Sequence, residues 1–241
     1  MKHVLAIAIA LSLVTVSASA QELSEDDIKR LALEAILENP EIIMEAVAIL
    51  DQRARDGQAA NIATVLQDQR DLLINDPNAP VLGNPDGDVT VVEFFDYNCP
   101  YCKRAMPEVE ALIESDPNVR VVYREWPILG EGSVFAARAA LAARVQGNYD
   151  AFHWALMGQP GRIEEPVVLR IAAEVGLNVD RMLLDMDSAE IDEHLATSNA
   201  LATALGFGGT PSFVIGDALL PGFVELSALE QGVAKARAAA Q

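Results

Sequence analysis

The only two cysteines of the chain, Cys99 and Cys102, lie three positions apart where the pattern of the sequence changes. The preceding residues, "DVTVVEFFDY", are almost continuously apolar, which is typical of a strand buried on both faces of a sheet. The following residues, "PYCKRAMPEVEALIES", have the apolar spacing of an amphipathic helix. This pattern predicts that Cys99 caps the N-terminus of a helix that begins directly after a buried strand.

The N-terminus of a helix favours the charged form of a thiol. Unpaired backbone N–H groups and the positive end of the helix dipole point towards the sulfur of Cys99, and Cys-x-x-Cys motifs have lowered thiol pKa values in such places. Cys102 follows one turn later on the same face, and we expect it to be less exposed. The arrangement suits a mixed-disulfide mechanism, in which Cys99 reacts with the substrate and Cys102 resolves the intermediate.

Other roles for the pair are less favoured by the sequence. A structural zinc site needs four ligands, whereas the chain adds only scattered histidines, such as His153 and His194, to one Cys-x-x-Cys motif. An inert disulfide across so short a loop would contribute little stability. A Cu(I) site at Cys99 and Cys102 stays open, because thiolates are soft ligands. We favour a redox-active disulfide, Cys99–Cys102, that works without a metal or another cofactor.

The first twenty residues have the pattern of a secretory signal peptide. Lys2 and His3 form a short basic start, residues 4–16 are apolar, and Ala18-Ser19-Ala20 matches a cleavage signal. We therefore expect cleavage after Ala20 and a function outside the cytoplasm. An uncleaved anchor is the alternative.

Residues 21–75 are predicted to form a helical segment with a narrow apolar stripe. Ile43, Val47 and Leu50 follow one another at helical spacing, and Gly57 weakens the helix and predicts a hinge or a shift of register. The stripe has to be buried, either by folding back onto the rest of the chain or by packing against copies of itself. We expect packing between copies, and therefore a homo-oligomer.

Residues 76–241 are predicted to form one domain. The stretch "NDPNAPVLGNPDGD" contains many turn-forming residues and predicts a linker at the start of the domain. The patterns that follow predict a strand, a helix, a strand, a helical insertion at about residues 133–205, two further strands and a final helix. We therefore predict an α/β thioredoxin fold with an inserted helical subdomain, preceded by an N-terminal α-helical oligomerisation segment.

The charge of the chain restricts its partners. Asp and Glu number 36 against 17 Lys and Arg, so the formal net charge is −19. Such a surface repels phosphate backbones and anionic lipid headgroups, and we expect no nucleic-acid partner.

Two segments resemble one known family. "VVEFFDYNCPYCKR" resembles the active-site segment of the DsbA-like thioredoxin superfamily of bacterial periplasmic thiol–disulfide oxidoreductases, and "GGTPSFVIG" is similar to its cis-proline segment. The resemblance covers about residues 86–241. It implies that Cys99 is the nucleophile, that Cys102 is the resolving thiol, and that Thr210 and Pro211 form a substrate-contacting loop with a cis bond before Pro211.

Glu93 lies six residues before Cys99, where members of this family carry an acidic residue implicated in proton transfer. Burial would raise the pKa of such a carboxyl, which could then exchange a proton with Cys102. The alternative is a partly exposed carboxylate at a sheet edge. Asp96 is closer to Cys99 in sequence but has less support for this role.

The residues between the cysteines, Pro100 and Tyr101, differ from the Pro-His of the strongly oxidising DsbA type. The resemblance therefore implies a less oxidising pair, and Thr210 before the proline is more typical of isomerase and reductase branches. The N-terminal segment resembles the extension of the suppressor-of-copper-sensitivity C proteins. Some of those proteins oligomerise through the extension and act as isomerases, so a trimer is implied.

These observations predict a periplasmic disulfide isomerase or reductase. Its substrates would be unfolded or wrongly disulfide-bonded secreted proteins, and a membrane redox partner would keep the pair reduced. One alternative is a DsbA-like oxidase that introduces disulfides. Another is a Cu(I)-binding protein of copper tolerance.

Overall fold

A computed structural model describes residues 24–240, and the predicted signal peptide lies outside them. The described chain divides into two compact units between Asp56 and Gly57. Among the helices of these residues, none has the length and apolar content that crossing a membrane requires.

The first unit contains helix α1 (Glu25–Glu38) and the first part of helix α2 (Glu41–Asp68). Helix α1 begins at Ser24, whose hydroxyl accepts a hydrogen bond from the Asp27 N–H at 3.1 Å. None of the residues of α1 is buried. Large apolar side chains of both helices are exposed, including Leu37 at 71%, Met44 at 69% and Leu50 at 61%.

The second unit begins inside a helix. Helix α2 continues through Gly57 without a break, and the division between the two compact units falls directly before this residue. The hinge or shift of register at Gly57 stays a prediction. Leu66 in the last turns of α2 and Leu73 in helix α3 (Arg70–Ile74) are buried against the sheet of this unit. The predicted boundary at residue 76 therefore differs from the observed division, because residues 57–75 belong to the second unit.

The second unit is built on a mixed sheet of five strands in the order β1-β3-β2-β4-β5. Strands β2 and β3 are parallel, and every other pair is antiparallel. The strands are β1 (Val81–Gly83), β2 (Val89–Phe95), β3 (Val119–Glu125), β4 (Ser212–Ile215) and β5 (Ala218–Pro221). Strand β1 lies within the predicted linker, since three residues are too few to show a strand pattern.

Helices cover both faces of the sheet. The helix after β2 is α4 (Pro100–Ser115), and α10 (Leu226–Ala239) ends the chain. The insertion between β3 and β4 consists of α5 (Glu131–Ala143), a 3-10 turn at Arg144–Gln146, α6 (Tyr149–Gly158), α7 (Glu165–Glu174), α8 (Val179–Asp185) and α9 (Ala189–Ala204). The predicted order of elements from β2 onwards agrees with the structure.

The continuous apolar run of β2 has a direct explanation. Its side chains alternate between two cores: Val91 and Phe95 pack in the core that contains α4 and α10, whereas Val92 and Phe94 pack in the core that contains α3 and α9. Because both faces are covered, no position on the strand has to be polar. Glu93 is therefore an exception that needs its own explanation.

Four charged side chains form a buried cluster between α3, β3 and α9. The Arg124 guanidinium donates to the Asp76 carboxylate at 2.6 Å, and His194 Nε2 lies 2.6 Å from the Glu125 carboxylate. His194 Nδ1 lies 3.7 Å from Asp76, which joins the two pairs. Arg124 also donates to the carbonyl oxygens of Leu72 and Leu73. The cluster thus holds the C-terminal end of α3 against the sheet.

Candidate active site

Cys99 is the N-cap of α4, at the end of the turn that follows β2. Its sulfur accepts a hydrogen bond from the backbone N–H of Cys102 at 3.4 Å, and Pro100 occupies the start of the helix. Pro suits this position because its missing N–H would have no partner in the helix. Both thiols are free, and Cys99 and Cys102 are 4% and 0% exposed. The less buried sulfur is thus the one at the helix N-terminus.

The two thiols have opposite tendencies to ionise. Contact with the Cys102 thiol, together with hydrogen bonds from Thr210 and from backbone N–H groups, lowers the pKa of Cys99 to about 6 despite its partial burial. Burial raises the pKa of Cys102 far above its ordinary value, and the neighbouring Cys99 and Glu93 add to this effect. Near neutral pH the pair therefore holds one thiolate and one thiol.

The loop before β4 reaches the sulfur of Cys99 from the other side. The Thr210–Pro211 peptide bond is cis, and the Cys99 Sγ lies 3.2 Å from the Thr210 carbonyl oxygen, to which the protonated thiol donates. Strand β4 places the loop there, because Ser212 pairs with Phe94 at the end of β2 that leads to the active site. The sheet thus brings Thr210 and Pro211 together with Cys99, as the sequence resemblance implied.

Glu93 lies on β2, between β3 and β4, and is 2% exposed. It is not an edge carboxylate. Burial, with a smaller contribution from the charge of Cys99, raises the pKa of Glu93 to about 8. The charge of Glu93 in turn raises the pKa of Cys102, so the two groups are close enough to interact electrostatically.

Asp96 has a positioning role that sequence reasoning did not assign to it. Its buried carboxylate accepts hydrogen bonds from the backbone N–H groups of Asn98 at 2.7 Å, Ile128 at 2.8 Å and Leu129 at 2.9 Å. The first of these bonds is an Asx turn, which an Asp two residues before Asn could have indicated. The other two attach the loop after β3 to the turn that carries Cys99.

Two further side chains tie the inserted helices to the active-site turn. Asn98 accepts from the Ile163 N–H at 2.6 Å and donates to the Ser133 hydroxyl at 3.1 Å. The Lys103 ammonium donates to the Gln159 carbonyl oxygen at 2.6 Å. These partners are far away in sequence, and no local pattern predicts them.

The exposed side of the motif is aromatic. Tyr101 is 56% exposed, and the Arg104 guanidinium lies 5.6 Å from the centre of its ring. The same guanidinium lies 4.5 Å from the centre of the Phe223 ring, in the loop before α10. Arginine interacts favourably with aromatic faces at these distances. An aromatic surface that carries the Arg104 guanidinium therefore borders Cys99.

The histidines considered as ligands lie in the interior. His153 is 1% exposed and His194 is 0% exposed. His153 lies 3.0 Å from the Tyr97 hydroxyl, and His194 belongs to the buried charged cluster. Within residues 24–240, no group of three or more His, Cys, Asp or Glu side chains is placed to hold a metal ion. Cys99 and Cys102 together could supply two soft ligands.

Comparison with protein families gives two matches. A model described as the DSBA-like thioredoxin domain matches residues 90–234, which is more than half of the chain. A second model, the copper resistance protein ScsC N-terminal domain, matches residues 25–56. The second match covers the described part of the first compact unit almost completely.

Solved structures of related proteins share the fold. A thioredoxin-like oxidoreductase from Silicibacter pomeroyi DSS-3 is 69% identical, with a TM-score of 0.69 over 70% of this chain and 98% of that one. Proteus mirabilis ScsC in a transitional conformation is 30% identical, with a TM-score of 0.66 over 92% of this chain and 99% of that one. These similarities confirm the predicted thioredoxin-type α/β fold with an N-terminal helical segment.

Among curated proteins, the Na(+)/H(+) antiporter NhaA 3 of Salinispora tropica is 31% identical over 163 residues. The match covers 67% of this chain and 25% of the antiporter. The chain thus spans about a quarter of the length of this curated relative.

Proposed function

The chain belongs to the DSBA-like thioredoxin domain family, and we propose that it is a periplasmic thiol–disulfide oxidoreductase that acts as a disulfide isomerase or reductase. The observation that carries the proposal is the asymmetry of the pair. The pKa of Cys99 is lowered to about 6, whereas that of Cys102 is raised. The thiolate is the reactive form of cysteine, so Cys99 attacks the substrate disulfide first, and Cys102 reacts only in the second step.

The proposed reaction has two exchange steps. In the first, the Cys99 thiolate attacks a substrate disulfide, forms a mixed disulfide and releases one substrate thiolate, which takes a proton from water. In the second, Cys102 loses its proton to the Glu93 carboxylate, attacks Cys99 and releases the second substrate thiolate. The substrate gains two electrons, and the enzyme loses them as the Cys99–Cys102 disulfide forms. Isomerisation occurs when a substrate thiol attacks the mixed disulfide before Cys102 does.

The motif dipeptide supports isomerase or reductase activity over oxidase activity. Tyr101 stands where the strongly oxidising type has a histidine, and it is exposed. A phenol carries no positive charge, so Tyr101 cannot stabilise the Cys99 thiolate as a protonated histidine would. A less stabilised thiolate corresponds to a less oxidising pair, and about 30 mV corresponds to about 1.4 kcal/mol. Thr210 before Pro211 supports the same direction by family resemblance.

We further propose that the protein is a homo-oligomer, a trimer by resemblance, that assembles through its N-terminal helices. The first compact unit exposes large apolar side chains along α1 and α2, including Leu37, Met44 and Leu50. Such a surface is unfavourable in water unless a partner covers it. The match of residues 25–56 to the ScsC N-terminal domain supports a common role for this unit.

The proposed partners follow from the chemistry. Unfolded or wrongly disulfide-bonded secreted proteins would bind at the aromatic surface next to Cys99. A reductase or isomerase needs electrons, so a membrane redox protein would return the pair to its reduced form. The signal-peptide pattern of residues 1–20 supports the periplasm as the compartment.

Recovery of ribonuclease activity from the scrambled enzyme tests the proposal. We expect the full mature protein to restore activity, Cys99→Ser to restore none, and a chain that begins at Gly57 to restore much less. The matched control is Val145→Ser, an exposed apolar residue of the second unit that is 65% exposed. Rapid oxidation of reduced ribonuclease without rescue of the scrambled form would favour the dithiol oxidase instead.

Copper binding is a second candidate function, favoured by the match of residues 25–56 to a copper resistance protein and by two adjacent free thiols. Thiolates are good ligands for Cu(I). Titration with a competing Cu(I) chelator should detect binding to the wild type that is lost in both Cys99→Ser and Cys102→Ser. Equal affinity of the wild type and both variants would remove this candidate.

A further inference from the structure

Two buried oxygen atoms on the face of the sheet whose core contains the active-site pair have no hydrogen-bond partner among residues 24–240. They are Oε1 of Glu93 and the hydroxyl of Tyr123. Glu93 is 2% exposed and Tyr123 is 1% exposed. Leaving such a group unpaired is unfavourable, and native proteins contain few of them. Two such oxygen atoms on neighbouring strands indicate a common functional role.

The sheet places these two side chains together. Glu93 on β2 and Tyr123 on β3 are in register in the parallel pair, so their side chains leave the same face of neighbouring strands about 4.8 Å apart. This is the face that packs against α4 and contains Cys102. The charge of Glu93 raises the pKa of both Tyr123 and Cys102, so one carboxyl influences both groups.

The ring of Tyr123 is held in place by other aromatic side chains. Its centre lies 4.5 Å from that of His153, 5.5 Å from that of Phe95 and 6.4 Å from that of Trp154. A ring packed on several sides has little freedom, and the position of its hydroxyl is therefore defined. Packing alone would be served equally well by phenylalanine, so the hydroxyl needs a separate reason.

We propose that Tyr123 is a positioning residue for proton transfer, whose hydroxyl hydrogen-bonds to Glu93 through one buried water. A phenol hydroxyl can donate to a carboxylate and accept from a carboxylic acid. Tyr123 can thus serve Glu93 both before and after Glu93 takes a proton. The inference rests on the proposed oxidoreductase function and deepens it.

The proton balance of the step is simple. When Cys102 attacks the mixed disulfide, its proton moves to the Glu93 carboxylate, and the substrate thiolate leaves. Tyr123 keeps its own proton throughout, because burial and the charge of Glu93 hold the pKa of its hydroxyl well above the ordinary value. Its donated hydrogen bond, relayed through the water, stabilises the carboxylate and so keeps Glu93 able to accept a proton nearer to neutral pH.

The test measures how fast the mixed disulfide is resolved as a function of pH, in single turnovers with a disulfide-bonded peptide. The rate of resolution should rise with pH as Glu93 ionises. We expect Tyr123→Phe to shift this rise to higher pH by about one unit, which lowers the rate at neutral pH about tenfold. The initial attack by Cys99, measured separately in a Cys102→Ala background, should keep its rate.

Two further variants make the result specific. Tyr149→Phe also removes a hydroxyl from this aromatic cluster, but that hydroxyl donates to Glu125 at 2.6 Å, and the pH profile should stay unchanged. In Glu93→Gln, the additional change Tyr123→Phe should have no further effect. An unshifted profile for Tyr123→Phe, an equal shift for Tyr149→Phe, or a further loss in the Glu93→Gln background would each overturn the proposal.

Infrared spectroscopy provides a readout in the wild-type protein itself. The C=O band of protonated Glu93, assigned by its loss in Glu93→Gln, should have the frequency of a hydrogen-bonded carboxyl, whereas the frequency of a free carboxyl would contradict the inference. The proposed function fails separately: if Cys99→Ser still reduces the peptide, the pair is not the reactive centre.

Discussion

The sulfur of Cys99 lies 3.2 Å from the carbonyl oxygen of Thr210, although 111 residues separate the two in sequence. Strand β4 makes this contact possible, because it pairs with β2. The loop that precedes β4 therefore lies beside the N-terminus of α4. The inserted helices α5 to α9 all lie between the two partners in the chain. The reactive sulfur is thus enclosed by a loop whose position depends on the whole sheet.

The first prediction concerns the thiolate. Iodoacetamide should alkylate Cys99 with a pH midpoint of about 6. Cys102→Ala should raise this midpoint, because contact with the Cys102 thiol is the largest cause of the lowered pKa. Arg104→Ala removes a nearby cation that is not among the causes of the shift and serves as the control. An unchanged midpoint in Cys102→Ala would contradict the assigned cause.

The second prediction concerns the turn that carries the pair. Asp96→Ala removes the acceptor of three backbone N–H groups, two of them in the loop after β3. We expect a loss of about 2–4 kcal/mol in the free energy of unfolding, because the freed N–H groups of a partly buried loop lose the side chain that accepts their hydrogen bonds. Urea unfolding measures this change.

The control for Asp96 is Asp187→Ala, since the Asp187 side chain is 90% exposed. The control should unfold at the urea concentration of the wild type. If Asp96→Ala also unfolded there, the carboxylate would not be the anchor of the loop.

The third prediction concerns the pH dependence of stability at the buried charged cluster. Burial alone would lower the pKa of His194, but Glu125 and Asp76 outweigh it and raise the pKa. A group whose pKa is raised on folding contributes stability that is complete below its unfolded value of about 6.5 and is lost as pH rises through the folded value. Urea unfolding should therefore show a loss of stability on the alkaline side that His194→Gln removes.

The same cluster predicts that the protein also loses stability at acid pH. Burial would raise the pKa of Asp76, but hydrogen bonds from His194, Asn78 and Arg124 hold it well below its ordinary value. Its contribution is present above the unfolded value of about 3.9 and is lost as pH falls towards the folded one. The charges that face His194 are Glu125, Asp76 and Arg124, with Ser198 on its own helix. If the free energy of unfolding of the wild type changed neither at acid nor at alkaline pH, the assigned interactions of the cluster would be contradicted.

The fourth prediction concerns where the catalytic unit begins. A chain that begins at Gly57 should be more stable than one that begins at Asp76, because the second chain lacks Leu66 and Leu73, which are 5% and 3% exposed. Losing a buried leucine side chain typically costs about 2–5 kcal/mol. Thermal unfolding of the two chains measures the difference. Equal stability would place the boundary at the predicted linker after all.

Local features of the catalytic unit could be predicted from the sequence. The strand at β2, the turn and the helix α4 follow from neighbouring residues, and so does the position of Cys99 at the N-cap. The short strand β1 could not be predicted, because it pairs with β3 across the chain and has only three residues. The helix continues through Gly57, because the surrounding helical residues outweigh the cost of one glycine.

What the sequence determined by itself was the chemistry of the pair, since the lowered pKa of Cys99 depends mainly on the Cys102 thiol and on backbone N–H groups within one turn. Only the tertiary structure decided which groups surround that pair. The order of strands buried Glu93 between β3 and β4, set Tyr123 beside it and brought Thr210 to the sulfur. The physical reason is that an apolar run specifies burial, whereas the neighbours of a strand depend on how the whole chain is packed.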